Sequence, residues 1–426
     1  MTREEQIRSL MQENIVLAVG CTEPVAVALA VAKAKEVLQE QVESVELQLS
    51  KNIIKNAMGV GIPGTGMIGL PIAVSLGVVC GESCKELQVL ESAKDNLEQA
   101  KQWMNSHSIT IKSKDTSEKL YIECCCCGKS SSARVIIAKN HLNFVHIQKD
   151  DEVIFHKEPA KGSSQEKETA TADIAASLSF KEVYDYANNT PIDFLEWIDD
   201  MAKVNTAISQ EGQKGHYGLQ IGRCLLEEND INTRKKIIGA ACAASDARMD
   251  GATLPVYSNS GSGNQGITCS VPVIEYAKRL NKSKEETIRA LTLSNLVSIY
   301  IKSKIGRLSA LCGLVNASIG VGTALVYLKG GSFTQICYTV RNMINTITGM
   351  VCDGAKPSCA LKMSAGLNSA FDSALLAMNN IVVDQTDGIA QEDIDLSIES
   401  LGKIGRYGMD KMDELALDIM LEKGCK

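Results

Sequence analysis

A chain of 426 residues with 45% hydrophobic content is long enough for two or three domains, each burying its own core. Its formal charge of −7 and pI near 5.5, with no basic run longer than groupings such as Arg234-Lys235-Lys236, argue against a phosphate-backbone groove and so against a nucleic-acid partner. The N-terminus mixes acids with bases and has no apolar core, so no secretory signal is expected and the chain is placed in the cytoplasm, where 15 cysteines favour metal or thiol chemistry over disulfides.

In chain order, Thr2 and Glu5 form a capping box ahead of Ile7, Leu10, Met11 and Ile15 at helical spacing. The turn Gly20-Cys21-Thr22-Glu23-Pro24 interrupts that helix, and a second is predicted over Val25–Leu38 with Pro24 near its first turn, which puts Cys21 at a helix N-terminus. Val45, Leu47 and Leu49 alternate as a strand, followed by a glycine-rich stretch from Lys55 to Gly66 and an apolar helix through Val79. A long polar helix is expected at about 86–106. Short β segments follow at Ser108–Ser113, Lys119–Cys126, Ser132–Ala138, Phe144–Gln148 and Glu152–Phe155.

Residues 157–172 are polar and lack large apolar side chains, the composition of a linker. The boundary there predicts an α+β fold with an N-terminal α+β domain over 1–160, followed by an all-α helical-bundle domain over 173–426. The second domain carries another capping box, Ser283 with Glu286, and a helical rhythm through Leu291, Leu293 and Leu296. Residues 308–328 are uncharged and long enough to span a bilayer, but Ser309, Asn316, Ser318 and their glycines make them a buried helix, so no membrane partner is expected.

Three cysteines stand out in that half: Cys312, and the pair framing Cys352-Asp353-Gly354-Ala355-Lys356-Pro357-Ser358-Cys359. Three thiolates can hold a cubane cluster and leave one iron open as a Lewis acid. Cys352-x6-Cys359 is not a common ferredoxin run, so spacing alone leaves both a metal site and coincidence open. Cys21 is a second candidate, because the free amides and positive end of a helix start would stabilise a thiolate and lower its pKa; a buried turn cysteine is the plainer alternative. Together, Cys312, the Cys352/Cys359 pair and the Gly20-Cys21-Thr22-Glu23-Pro24 turn resemble the L-cysteine desulfidase family, related to the iron-sulfur L-serine dehydratase alpha chains. The resemblance runs over nearly the whole chain.

That resemblance implies a 4Fe-4S cluster held by Cys312, Cys352 and Cys359 in the helical-bundle domain, with Cys21 taking the substrate's proton. In the serine dehydratase branch the first cluster cysteine lies in a Cys-Gln-Gly setting. The matching stretch here, Gly263-Asn264-Gln265-Gly266, has asparagine instead, which favours the desulfidase branch. The glycine-rich stretch after Lys55 lacks a Gly-Lys-Ser/Thr ending and the dinucleotide spacing, so no nucleotide is expected. It suits the carboxylate of an amino acid, with Lys55, Asn56 and Thr65 as contacts, and Ser260 and Asn264 as similar contacts from the loop at 258–264; either stretch could equally be a turn.

Other features take plainer readings. Cys80, Cys84, Cys224, Cys242, Cys269 and Cys337 are packing residues, and Cys425 belongs to a frayed tail. Consecutive cysteines Cys124–Cys127 on a strand point to alternate faces and do not easily converge on one ion, which favours a structural reading. Glu23 is read as a first-turn helix acid and His216 as a polar loop residue. No lysine has the setting of a pyridoxal phosphate Schiff base, while Lys302 and Lys304 would balance the charge of cluster or substrate.

The expected activity is β-elimination of L-cysteine to pyruvate, ammonia and sulfide, by an enzyme with a small amino-acid substrate and compatible with a homo-oligomer. L-serine dehydration follows the same logic with another leaving group. A non-catalytic cysteine or redox sensor is the alternative of another class.

Overall fold

The computed structural model describes residues 1–157, 174–228, 232–306 and 309–422. The expected linker lies outside the described residues from 158 onward, as does Cys425. The fold is α+β: helices dominate and one mixed sheet is present.

Helix α1 (Arg3–Asn14) starts on the Thr2/Glu5 capping box, with both reciprocal hydrogen bonds made. A two-residue strand β1 (Leu17–Ala18) leads to the turn at Gly20 and helix α2 (Thr22–Leu38). Strand β2 (Ser44–Leu49) buries Val45, Leu47 and Leu49 on one face, as their alternation requires. Helix α3 (Lys51–Ala57) follows at once, because Ile53, Ile54 and Ala57 recur at helical spacing and are all buried. Helix α4 is Leu70–Val79.

The long helix expected at 86–106 is shorter. Only α5 (Leu97–Ser106) is helical; Glu86 adopts φ 51°, ψ −125°, and the tight turns after it bury Val89, Leu90 and Ala93, a packing that one exposed polar helix would not give. Strands β3 (Ser108–Ser113), β4 (Tyr121–Cys127), β5 (Ser132–Ala138), β6 (Phe144–Lys149) and β7 (Glu152–His156) complete a sheet of order β3-β2-β4-β5-β6-β7, antiparallel except for the β2/β3 pair. Helix α2 packs across β4, β5 and β6, and its fully buried Leu29 alone is worth roughly 1.5–3 kcal/mol of transfer free energy.

The remaining chain is helical: α6 (Phe180–Asn189), α7 (Asp199–Lys214), α8 (Ile221–Glu227), α9 (Thr233–Met249), then the two-residue strand β8 (Val256–Tyr257) and α10 (Gly263–Arg279). After these come α11 (Lys284–Ile305), α12 (Gly313–Leu328), α13 (Phe333–Ile347), α14 (Cys359–Met378), α15 (Ile394–Lys403) and α16 (Asp410–Glu422). The uncharged helix foreseen at 308–328 is α12, packed between α10, α11, α13 and α14. It begins at Gly313 because Leu311 is bridged to Val351 instead. No described helix is long and apolar enough to cross a membrane.

Two hydrophobic cores result, and their membership crosses the chain. The helical core includes Ile7, Leu10 and Met11 from α1 and Ile15 just after it, whereas the sheet core includes Leu417 from α16. Strand β1 pairs antiparallel with β8, adding a second tie between early and late sequence.

Candidate functional site

The backbone brings Cys312 and Cys352 together. The Cys312 amide donates to Met350 O at 2.9 Å and the Cys352 amide to Ala310 O at 2.7 Å, so the two cysteines flank the Leu311/Val351 bridge. Cys312 is the N-cap residue of α12, and Cys359 opens α14 with its amide on Lys356 O at 2.9 Å. The Cys312 and Cys352 thiols act on each other electrostatically. The interaction with Cys312 pulls the Cys352 thiol below its ordinary value against the opposing effect of burial, and the Lys55 cation helps; Cys312 is pushed up and keeps the proton. Burial likewise pushes the Cys359 thiol up.

Cations surround the three thiols. Lys302 is buried, and desolvation lowers its pKa to about 8 despite the opposing pull of Cys352 and Cys312. Lys362 and Lys356 lie within electrostatic reach of the same cysteines, and Lys362 also pairs with Asp353. Lys304 turns away, donating to Ala176 O at 3.2 Å and covering the Tyr300 ring.

Soft thiol donors set among positive side chains are compatible with an anionic iron-sulfur cluster. No group of three or more His, Cys, Asp or Glu among the described residues has the compact geometry of a single-ion site. A cubane asks for a wider arrangement, because each thiolate bonds a different iron.

Cys21 sits beside this group. It is the N-cap residue of α2, is 2% exposed, and shares a small apolar cluster with Val60 and Met249, against which Ala355 and Cys359 pack. Its turn depends on Gly20, whose φ of +69° and close approach to Pro63 leave no room for a side chain. The expectation that a helix start would lower the Cys21 pKa is corrected here. Burial dominates and pushes the thiol up to about 11, with the neighbouring Arg248 cation opposing. Glu23 does more than sit in a first helical turn: its carboxylate accepts from Asn56 Nδ2 at 3.1 Å and Thr22 Oγ1 at 3.2 Å, tying the Cys21 turn to α3.

The residues foreseen as carboxylate contacts fall in several settings. Lys55 lies in α3 rather than in a loop, is 3% exposed, pairs with Asp413 of α16 and reaches Cys352 O at 3.4 Å. Asn56 holds Glu23, and the Thr65 hydroxyl is used within its own loop, donating to Ile62 O at 2.7 Å and accepting from the Met67 amide at 3.0 Å. Ser260 donates to Asn259 Oδ1 at 2.8 Å. Asn264 is buried in the first turn of α10 and accepts from Arg248 Nη1 at 3.2 Å. His216 is exposed, hydrogen-bonded with Gln220 and Arg223.

Arg248, near the end of α9, was not singled out from sequence. It is 6% exposed, donates from Nη2 to Gly20 O at 2.9 Å and lies against the Cys21 thiol. An arginine amid the alanines of α9 reads as an ordinary surface charge until the fold places α10 beside it.

Residues 84–418 match the family described as the serine dehydratase alpha chain. The chain is also similar over nearly its full length to a group of UPF0597 proteins. One from Phocaeicola vulgatus is 47% identical over 99% of this chain and 98% of its own. One from Bacteroides fragilis is 46% identical over 100% of both chains, and one from Clostridium perfringens is 42% identical over 99% of both.

Proposed function

Given that this chain belongs to the serine dehydratase alpha-chain family, we propose that it is a lyase that eliminates the β-substituent of a small amino acid, with L-cysteine as the substrate and pyruvate, ammonia and sulfide as products. The observation that carries the reading is the gathering of Cys312, Cys352 and Cys359 among Lys302, Lys356 and Lys362, with Cys21 packed against Cys359. A 4Fe-4S cluster on those three cysteines would supply a Lewis-acidic iron for the leaving group.

The protein's own part is to hold the substrate beside Cys21 and to move one proton. The Cys21 thiolate takes the α-proton; burial disfavours that form, and the Arg248 cation at its side offsets part of the cost. Loss of the β-substituent leaves aminoacrylate, which tautomerises and hydrolyses to pyruvate and ammonia without further help. Lys302, Lys356 and Lys362 offset negative charge that would otherwise be costly in a largely desolvated site.

L-serine dehydration is the second reading, and the description of the matching family favours it. Asn264, in the stretch where the dehydratase branch carries cysteine, supports the desulfidase reading. Anaerobically reconstituted protein assayed side by side with L-cysteine and L-serine decides. Matching pyruvate and sulfide from L-cysteine is expected, preference for L-serine moves the chain to the second reading, and turnover of neither overturns elimination. Cys312→Ala, Cys352→Ala and Cys359→Ala are each expected to lose iron; full iron content in all three would sink the cluster assignment.

A further inference from the structure

We propose that Arg248, together with the first turn of α10, anchors the substrate's α-carboxylate. The proposal rests on the elimination reading and adds to it the group that orients the substrate. Arg248 is 94% buried by its 6% exposure, yet its Nε has no hydrogen-bond partner. A buried N–H without a partner is costly, and more so on a charged group, so a site that keeps one is suited to an incoming acceptor. The rest of the guanidinium is fixed, Nη1 on Asn264 Oδ1 and Nη2 on Gly20 O. No described carboxylate pairs with it.

Nε faces the start of α10. A Cβ on Gly263, the first residue of that helix, would stand 2.2 Å from Nε and 2.5 Å from Cζ. Glycine there is what lets the guanidinium lie against the helix start, where first-turn amides and the positive end of the helix also favour an anion. A planar fork beside such amides matches a carboxylate better than it matches a sulfide or an ammonium group.

Position gives the second argument. The proton to be removed in an elimination sits on the carbon bonded to the carboxylate, so the carboxylate anchor and the base must be neighbours. Arg248 hydrogen-bonds the carbonyl of Gly20, the residue before Cys21, and its charge acts on the Cys21 thiol. Of the carboxylate contacts expected from sequence, Lys55 is committed to Asp413 and Thr65 to its own loop, and Lys362 is paired with Asp353.

The test compares each amino acid with the amine that lacks its carboxylate: L-cysteine with cysteamine, and L-serine with ethanolamine. Binding is measured by calorimetry on reconstituted Cys21→Ala protein, with and without Arg248→Gln, and KM and kcat on protein that keeps Cys21. The expected result is that Arg248→Gln weakens the amino acid by about 10- to 100-fold, the size of a lost charge-assisted hydrogen bond, while leaving the amine unchanged. Arg248→Lys, which keeps the charge without the fork, should fall between. A purely structural role would weaken both members of a pair together, so an unchanged acid-to-amine ratio in both variants overturns the assignment. Should Arg248→Gln fail to fold, the ratio in Arg248→Lys alone decides in the same way. Wild-type turnover with that ratio unchanged removes only the anchor, whereas no wild-type turnover of either amino acid removes the elimination reading and this role with it.

Discussion

At the residue scale, Cys21 and the cluster cysteines have separable duties. Cys21→Ser is expected to lower turnover by roughly 10²-fold or more, the usual worth of a positioned general base, while iron content and colour stay as in the wild type. Loss of colour in that variant would assign Cys21 to the iron instead. Asp246 gives a test of burial. Desolvation raises its carboxyl to about 6 although Oδ2 accepts from the Gly222 amide, and Oδ1 has no partner. A raised carboxyl binds its proton more tightly when folded, so the contribution of Asp246 to stability should fall as pH rises from about 4 to 6 and hold level above that. Asp246→Asn should lack this contribution, so the stability difference between the two proteins should change across that range in urea unfolding; parallel curves would refute the shift. The cysteines were legible from sequence because unusual residues in framed motifs stand out. Arg248 was not, because its value comes from Gly263, which lies 15 residues later and meets it only in the fold.

At the element scale, legibility followed periodicity. Strands such as β3 and β5 kept their expected bounds because alternation along a half-buried sheet is a local signal. The run at 86–106 misled because its polar composition suits a helix, while burial of Val89, Leu90 and Ala93 is a tertiary demand. Helix α3 was hidden by the glycines that follow it, so Lys55 and Asn56 seemed to belong to a loop. Small residues in the helical core have a mechanical meaning. A Cβ on Gly320 of α12 would stand 2.2 Å from Ser294 O of α11, a backbone atom that cannot swing away. Gly320→Ala should therefore cost about 1–3 kcal/mol in chemical denaturation, and an unchanged midpoint would show that the two helices are not so tightly apposed. Ser283→Ala, which removes the capping box of α11, should cost about 1 kcal/mol by the same measurement.

At the scale of the whole molecule, the two cores are laced by exchanged helices: α1 packs in the helical core, and α16 places Leu417 in the sheet core and Asp413 on Lys55. Fragments 1–157 and 174–426, produced together, should therefore co-elute, because each carries a helix that the other's core needs. Separate elution of two folded fragments would refute the lacing.

The lacing also bears on how a substrate gets in and a product gets out. Enzymes with a site between two lobes often admit ligands by swinging the lobes apart about a hinge. Here such a swing would have to pull α1 and α16 from opposite cores at once, exposing apolar surface at both places. Traffic is then left to local openings rather than to the rigid-body motion of large parts.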